Sequence, residues 1–257
     1  THTMAEKAAT KTTKVDPLLQ ELLESGAHFG HRTSRWNPKM GEYIFGARGG
    51  VHIIDLTKTA EGLNKAVEFV LRTTTEGGEV LFVGTKRQAK GIVEKTAIEA
   101  GMPYVTQRWL GGMLTNLETI NTRINRLKRL EAQQLDGSLE TLTKKERLDI
   151  TNEIEHLNMI FGGIREMKGL PKAVFVVDMP REEIAMKEAR KLGIPVIAMT
   201  DTNADPDMAD FVIPANDDAL RAVTVIAGKI GEAAKTGAAL YNAKTKVDKE
   251  AEEADAS

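Results

Sequence analysis

Residues 28–40 read HFGHRTSRWNPKM, and GARGG follows at 46–50. Two histidines, two arginines, a tryptophan and a lysine share those thirteen positions. Three chemistries use such a set. Imidazoles ligate metals, cations and backbone N–H groups hold phosphates, and cations beside planar rings contact nucleic acid.

The metal chemistry lacks ligands. His28-x-x-His31 has ligand spacing, but no acid or third histidine lies close by, and HExxH is absent. Asp201-x-Asn203-x-Asp205 opens like a calcium loop. Pro206 then stands where glycine is needed and Val212 where glutamate is needed, so an Asx-rich turn fits better. His28, His31, Asp201 and Asp205 are the metal candidates, and no cofactor is expected. The phosphate chemistry has one candidate turn, Gly84-Thr85-Lys86-Arg87, where a parallel sheet would present a helix N-terminus. Neither GxxxxGK[ST] nor GxGxxG occurs there, so an ordinary capped turn competes with a phosphate or nucleotide site at Thr85–Arg87. Catalytic signatures are missing too. There is no GxSxG and no cysteine, and Glu182-Glu183 and Asp217-Asp218 read as complements to helix dipoles. An enzyme is not expected.

Nucleic acid uses more of the residues. Arg32, Arg35 and Lys39 surround Trp36, and Arg48 sits between glycines. Gln107-Arg108-Trp109-Leu-Gly-Gly sets arginine beside the other tryptophan. Arg123, Arg126, Lys128 and Arg129 follow, so residues 108–129 hold five Lys/Arg against Glu118 alone. With Lys86 and Arg87 these are the candidate RNA contacts. The competing assignment puts Trp36 and Trp109 in the core and leaves the helix cations as a solvated face.

The whole chain constrains these choices. Its 257 residues carry a net charge of -2, so any surface for a polyanion must be local. The absence of cysteine excludes disulfides and thiolate metal sites. No apolar run approaches the roughly 18 residues of a membrane span. Neither a membrane partner nor a homo-oligomer is expected, and the expected location is cytoplasmic.

The elements that would position these residues read clearly. A helix follows Pro17 and ends near Gly26. Val51–Ile54, Val80–Val83, Tyr104-Val105, Ala173–Val177, Pro195–Met199 and Phe211–Ile213 read as strands, with helices at about 59–74 and 216–235. Short apolar strands alternating with helices predict an α/β, doubly wound parallel sheet, in flavodoxin-like or Rossmann-like order. Thr85-x-x-Gln88, Thr115-x-x-Glu118 and Thr143-x-x-Glu146 read as capping boxes. Leu117, Ile120, Ile124 and Leu127, and then Ile150, Ile154, Leu157, Phe161 and Ile164, repeat at heptad spacing around Asp136-Gly137. That predicts a protruding antiparallel helical hairpin with a coiled-coil seam. The expected division is a disordered tail at 1–15, the sheet domain at 16–107 and 165–241, the hairpin insertion at 108–164, and a disordered acidic tail at 242–257.

These motifs together resemble the bacterial small ribosomal subunit protein two (S-two) family from about Leu18 to Ala234. The resemblance rests on Leu22–Met40, Phe45–Ile54, Phe82–Arg87, Arg108–Asn116, the run from Pro171 to Pro195, Asp201–Pro206 and Ile213–Asp218. It implies a non-enzymatic structural constituent of the small ribosomal subunit, near the head-body junction. The implied partners are small-subunit ribosomal RNA, neighbouring ribosomal proteins, and the messenger-binding protein S-one that it would help dock. It also implies a flavodoxin-like sheet with a helical hairpin.

Overall fold

The computed structural model describes residues 16–255, with side chains described to Lys246. The tail expected at 1–15 lies outside the described residues.

The chain opens with α1 (Pro17–Glu24), capped by Asp16, whose side chain accepts the Leu18 N–H at 2.9 Å. Three short strands follow: β1 (Phe29–Arg32), β2 (Ile44–Arg48) and β3 (Val51–Ile54). They form an antiparallel sheet in the order β1-β3-β2. Arg48 pairs with Val51 across a turn made by Gly49 and Gly50, both with positive φ. That conformation is open to glycine and suits a tight hairpin. Within the stretch at 28–40, Phe29–Arg32 is strand β1.

The main sheet comes next. Its elements are α2 (Leu56–Thr75), β4 (Val80–Val83), α3 (Lys90–Ala100), β5 (Tyr104–Val105), α4 (Leu117–Leu135), α5 (Lys144–Phe161), β6 (Ala173–Val177), α6 (Glu183–Lys191), β7 (Val196–Thr200), β8 (Phe211–Pro214) and α7 (Leu220–Asp255). Strands β4 to β8 are all parallel, in the order β5-β4-β6-β7-β8. Counted within this sheet that is 2-1-3-4-5, the flavodoxin-like order, with its switch point between β4 and β6. The strands β4, β6 and β7 are buried along their whole length. Alternate residues serve two apolar layers. Phe82, Phe175, Ile197 and Ile213 pack with Leu63, Val70, Val93 and Ile226 on one face. Leu81, Val83, Val174 and Val176 pack with Trp109, Met113, Ile124, Phe161 and Met186 on the other. Helices thus cover both faces, as a parallel sheet requires.

Helices α4 and α5 share a third cluster of Leu127, Leu130 and Ile154. Of the expected capping boxes only Thr143/Glu146 forms, with the Thr143 N–H donating to Glu146 Oε2 at 2.9 Å. The segment 108–116 does not belong to the helix pair: Trp109, Met113 and Leu114 pack under the sheet. The last helix also differs from expectation. It begins at Leu220 and continues to Asp255, where the sequence reading stops near 235 and leaves a disordered tail from 242. Residues 242–255 have few large apolar side chains but are rich in Ala, Lys and Glu, with neither Gly nor Pro. Such a composition lacks core residues yet favours helix.

Two helical glycines give opposite expectations. A Cβ at Gly62 in α2 would meet the Val212 carbonyl oxygen on β8, whereas one at Gly91 in α3 would meet nothing within 4 Å. Gly62→Ala should lower stability by about 1–3 kcal/mol through overpacking. Gly91→Ala should raise it by about 0.5–1 kcal/mol. Denaturant unfolding followed by circular dichroism measures both.

Candidate nucleic-acid interface

Open parallel sheets bind ligands at the carboxyl ends of their strands, beside the switch point. Here that edge already carries acids of the chain itself. Glu182 accepts the Thr85 N–H at 2.8 Å and its hydroxyl at 2.5 Å, just after β4. Glu182 is buried, and burial pushes its carboxyl above the ordinary range despite these bonds. The capping box expected between Thr85 and Gln88 therefore does not form; α3 starts at Lys90 with no side-chain cap. Asp178 follows β6 with φ 69°, the one non-glycine with positive φ among the described residues. Its carbonyl accepts the N–H of Arg181 and of Glu182, each at 3.1 Å.

Lys86 does not face outward. It is buried, with Nζ 2.6 Å from both Asp217 and Asp218 and 3.4 Å from Asp178. Burial works against its charge, but these acids prevail and raise its pKa. One cation does not satisfy so many carboxylates. Burial, with Asp201 and Asp178 nearby, pushes Asp217 up to about 7. His31 joins the same group, with Nδ1 3.0 Å from Asp201, and that carboxylate raises its pKa against burial. Lys86 is thus internal, which removes it from the candidate RNA contacts and from a phosphate site at Thr85–Arg87. Arg87 beside it is exposed.

Glu188 on α6 organises the segment 109–115. Its Oε1 accepts the Trp109 indole N–H at 3.2 Å and the Gly112 N–H at 2.6 Å. Its Oε2 accepts the Leu114 N–H at 3.0 Å, and the Thr115 N–H and hydroxyl at 3.1 Å each. Gly112 has φ 93°, which lets its N–H turn toward the carboxylate. Burial pushes Glu188 up, but the bonds from Gly112, Thr115, Leu114 and Trp109 outweigh it and hold the group below its usual range. Two expectations fail here for one reason. Thr115 is spent on Glu188, so no capping box forms with Glu118. Trp109 is 7% exposed and tied by its nitrogen, so it is a core residue and offers no face to a base.

The N-terminal module leans on the turn after β7. The His31 N–H donates to Thr202 Oγ1 and the Asn37 N–H to the Thr202 carbonyl, both at 2.8 Å. A Cβ at Gly30 would stand 2.5 Å from the Thr202 methyl, which explains the glycine. Trp36 tilts against His52 with ring centroids 5.0 Å apart and stays 40% exposed, so it both anchors and presents a face. Lys39 is held by Asp205 at 2.9 Å and Asp207 at 2.6 Å, so its charge is neutralised rather than free for phosphate. Arg32, Arg35 and Arg48 are exposed and have no ion-pair partner among the described residues.

The helix pair sorts its cations in the same way. Arg126 makes a two-pronged bond to Glu153 at 2.6 and 2.8 Å, and Lys128 lies 3.4 Å from Glu166. Both charges are already answered. Arg123 and Arg129 are exposed and unpaired among the described residues, as is Arg108. The structure therefore leaves Arg32, Arg35, Arg48, Arg87, Arg108, Arg123 and Arg129, with Trp36, as outward groups. For the metal candidates, no group of three or more ligating side chains that could hold an ion occurs among the described residues. His31 and Asp201 face each other, while Asp205 holds Lys39.

Sequence reasoning missed Glu182 and Glu188 as loop anchors. Their signal was present but ambiguous: Glu188 stands among Ala185, Met186 and Ala189, the buried residues of α6, where a carboxylate needs partners. Those partners are 73 to 79 residues away in the chain, beyond local pattern.

Comparison with known proteins gives the family of the sequence. The family profile described as Ribosomal protein S2 matches residues 22–237. The chain is 55% identical over 219 residues to the small ribosomal subunit protein uS2 of Roseiflexus sp. (strain RS-1), covering 85% of this chain and 84% of that one. It is 51% identical over 222 residues to the uS2 of Oleidesulfovibrio alaskensis, covering 86% and 85%. Against the uS2 of Psychrobacter cryohalolentis it is 53% identical over 230 residues, covering 89% and 86%.

Two measurements probe this edge. Glu188→Gln keeps the shape but turns a donor toward backbone N–H groups, and should cost about 3 kcal/mol, with a shift in the Trp109 fluorescence. For Asp217 the sign follows from its raised folded pKa: its contribution is complete below the unfolded value of 3.8 and is lost as pH rises to about 7. Asp217→Asn should remove that decline from the pH–stability profile and the carboxyl titration near 7 seen by NMR.

Proposed function

We propose, since the chain belongs to the ribosomal protein S2 family, that it holds small-subunit ribosomal RNA through its outward arginines and packs against neighbouring ribosomal proteins. As a member it is a structural constituent of the small ribosomal subunit, a class that is not enzymatic. No helix among the described residues is long and apolar enough to cross a membrane.

The observation that carries the RNA reading is the sorting of cations. Lys39, Lys86, Arg126 and Lys128 are answered by acids of the chain. Arg32, Arg35, Arg48, Arg87, Arg108, Arg123 and Arg129 are left in solvent, and a polyanion is the partner that rewards such groups. Trp36 adds one half-exposed ring beside Arg35. Phosphate contacts fix register, so these arginines hold the chain to the shape of the folded RNA rather than to a sequence.

Three finer assignments belong to the same reading. The chain sits near the junction of head and body of the small subunit. The helix pair α4–α5 forms a protruding coiled-coil arm whose Arg123 and Arg129 reach RNA beyond the sheet domain. The protein also helps dock S-one, the messenger-binding protein. The competing reading, a phosphate or nucleotide site on the Thr85–Arg87 turn, is disfavoured because Glu182 and the Lys86 acids already occupy that place.

Arg123→Glu with Arg129→Glu should leave the unfolding midpoint nearly unchanged, since exposed charges contribute about 0–1 kcal/mol. Filter binding to small-subunit ribosomal RNA should show weaker affinity and a salt slope smaller by about 1 per lost phosphate contact. Unchanged affinity and slope would instead assign that helix face to a protein neighbour.

A further inference from the structure

Beside the β4–β6 switch point lies a cleft of about 510 Å³. That is within the roughly 300–1,000 Å³ of small-ligand sites. Its walls include Thr85, Arg108, Arg181, Glu182 and Ile184. The two arginines come from different segments, one after β5 and one before α6, and both are exposed. Arg181 is oriented rather than loose: its Nε donates to Thr85 Oγ1 at 3.0 Å, which leaves its two terminal nitrogens without a partner among the described residues. Ile184 is 56% exposed, an apolar surface with nothing of the chain upon it.

Glu182 makes this cleft unusual. The side chain is 2% exposed, yet only its Oε1 is engaged, accepting both groups of Thr85. Its Oε2 makes no hydrogen bond among the described residues, and the carboxyl lines the cleft. That oxygen is not sealed from solvent, so a ligand entering the cleft can replace water as its donor. A phosphate cannot, because it too is an acceptor and an anion. A hydroxyl can. The cleft thus offers a hydroxyl acceptor at its floor, phosphate donors from two segments and an apolar patch.

We propose that this cleft takes one nucleotide of a single-stranded RNA segment, with ribose hydroxyl donated to Glu182 Oε2, phosphate between Arg108 and Arg181, and base against Ile184. This rests on the RNA-binding reading and gives it a site that prefers RNA to DNA. The 2′-hydroxyl is the group that distinguishes the two nucleic acids, and a carboxylate is a natural acceptor for it. Double-stranded RNA does not fit, because its riboses are stacked along a helix too broad for a cleft of this size. Arg181 and Glu182 thereby join Arg108 as RNA-contacting residues.

The test follows the Ile184 methyl signal by NMR in the full chain, labelled at isoleucine methyls and assigned with Ile184→Val. The probes are a six-nucleotide single-stranded RNA of adenine and cytosine only, and DNA of the same sequence. The RNA should move the Ile184 signal saturably, and the DNA should bind about tenfold more weakly, as expected for losing one charge-assisted hydrogen bond. Arg181→Glu, at an exposed position, should weaken the RNA by about tenfold or more. Glu182→Gln should bring RNA and DNA affinities together; should that variant not fold, the RNA–DNA comparison and Arg181→Glu decide alone. If other isoleucines respond while Ile184 does not, the cleft assignment falls and the RNA reading stands. If Ile184 responds equally to RNA and DNA, the ribose assignment is overturned. If no signal responds and the chain also fails to retain small-subunit ribosomal RNA, both readings fall.

Discussion

Glu188 accepts five hydrogen bonds from residues 109–115, and the shape of the carboxyl edge follows from it. A glycine-rich segment that could wrap a phosphate is wrapped around a side chain instead. The same substitution occurs at Thr85, where Glu182 takes the bonds that a ligand anion would otherwise receive. A doubly wound sheet ordinarily presents its switch point to a cofactor. Here the chain's own carboxylates bind the turn after β4 and the segment after β5, which makes the edge rigid and leaves only the cleft between them open.

That arrangement also decides where positive charge can act. Acids gathered at the edge draw in Lys86 and His31, and acids after β7 draw in Lys39. Arg32, Arg35, Arg48, Arg87, Arg108, Arg123 and Arg129 meet no acid among the described residues. On a chain of net charge -2, the proposed attraction for RNA rests on segregation, not on bulk charge. The buried network does more than neutralise. Thr202 accepts from the His31 and Asn37 backbones, so the antiparallel module carrying Arg32, Arg35 and Arg48 is held in a fixed place against the sheet domain. Its cations form part of a rigid surface, which matters when the partner is itself a folded RNA.

The sheet was legible because its signal is local. Val80–Val83, Ala173–Val177 and Val196–Met199 are apolar runs whose burial on both faces follows from parallel pairing under helices. Strand order was not legible, since crossover handedness leaves more than one order open. The candidate site was legible only by residue type. Which cations are spent internally depends on contacts between distant positions: Lys86 with Asp217 is 131 residues apart, and Lys39 with Asp205 is 166. The capping pattern shows the same limit. Thr85, Thr115 and Thr143 carry one local pattern, and only Thr143, with no buried glutamate reaching for its hydroxyl, becomes a capping box.

Arginine footprinting tests the central claim most directly. The full chain is treated with an arginine-selective dicarbonyl reagent, free and bound to small-subunit ribosomal RNA, and modified sites are mapped by mass spectrometry. Arg32, Arg35, Arg48, Arg87, Arg108, Arg123 and Arg129 should react in the free chain and be protected in the complex, while Arg126, clamped by Glu153, should change little. Equal reactivity of the unpaired arginines with and without RNA would contradict the account.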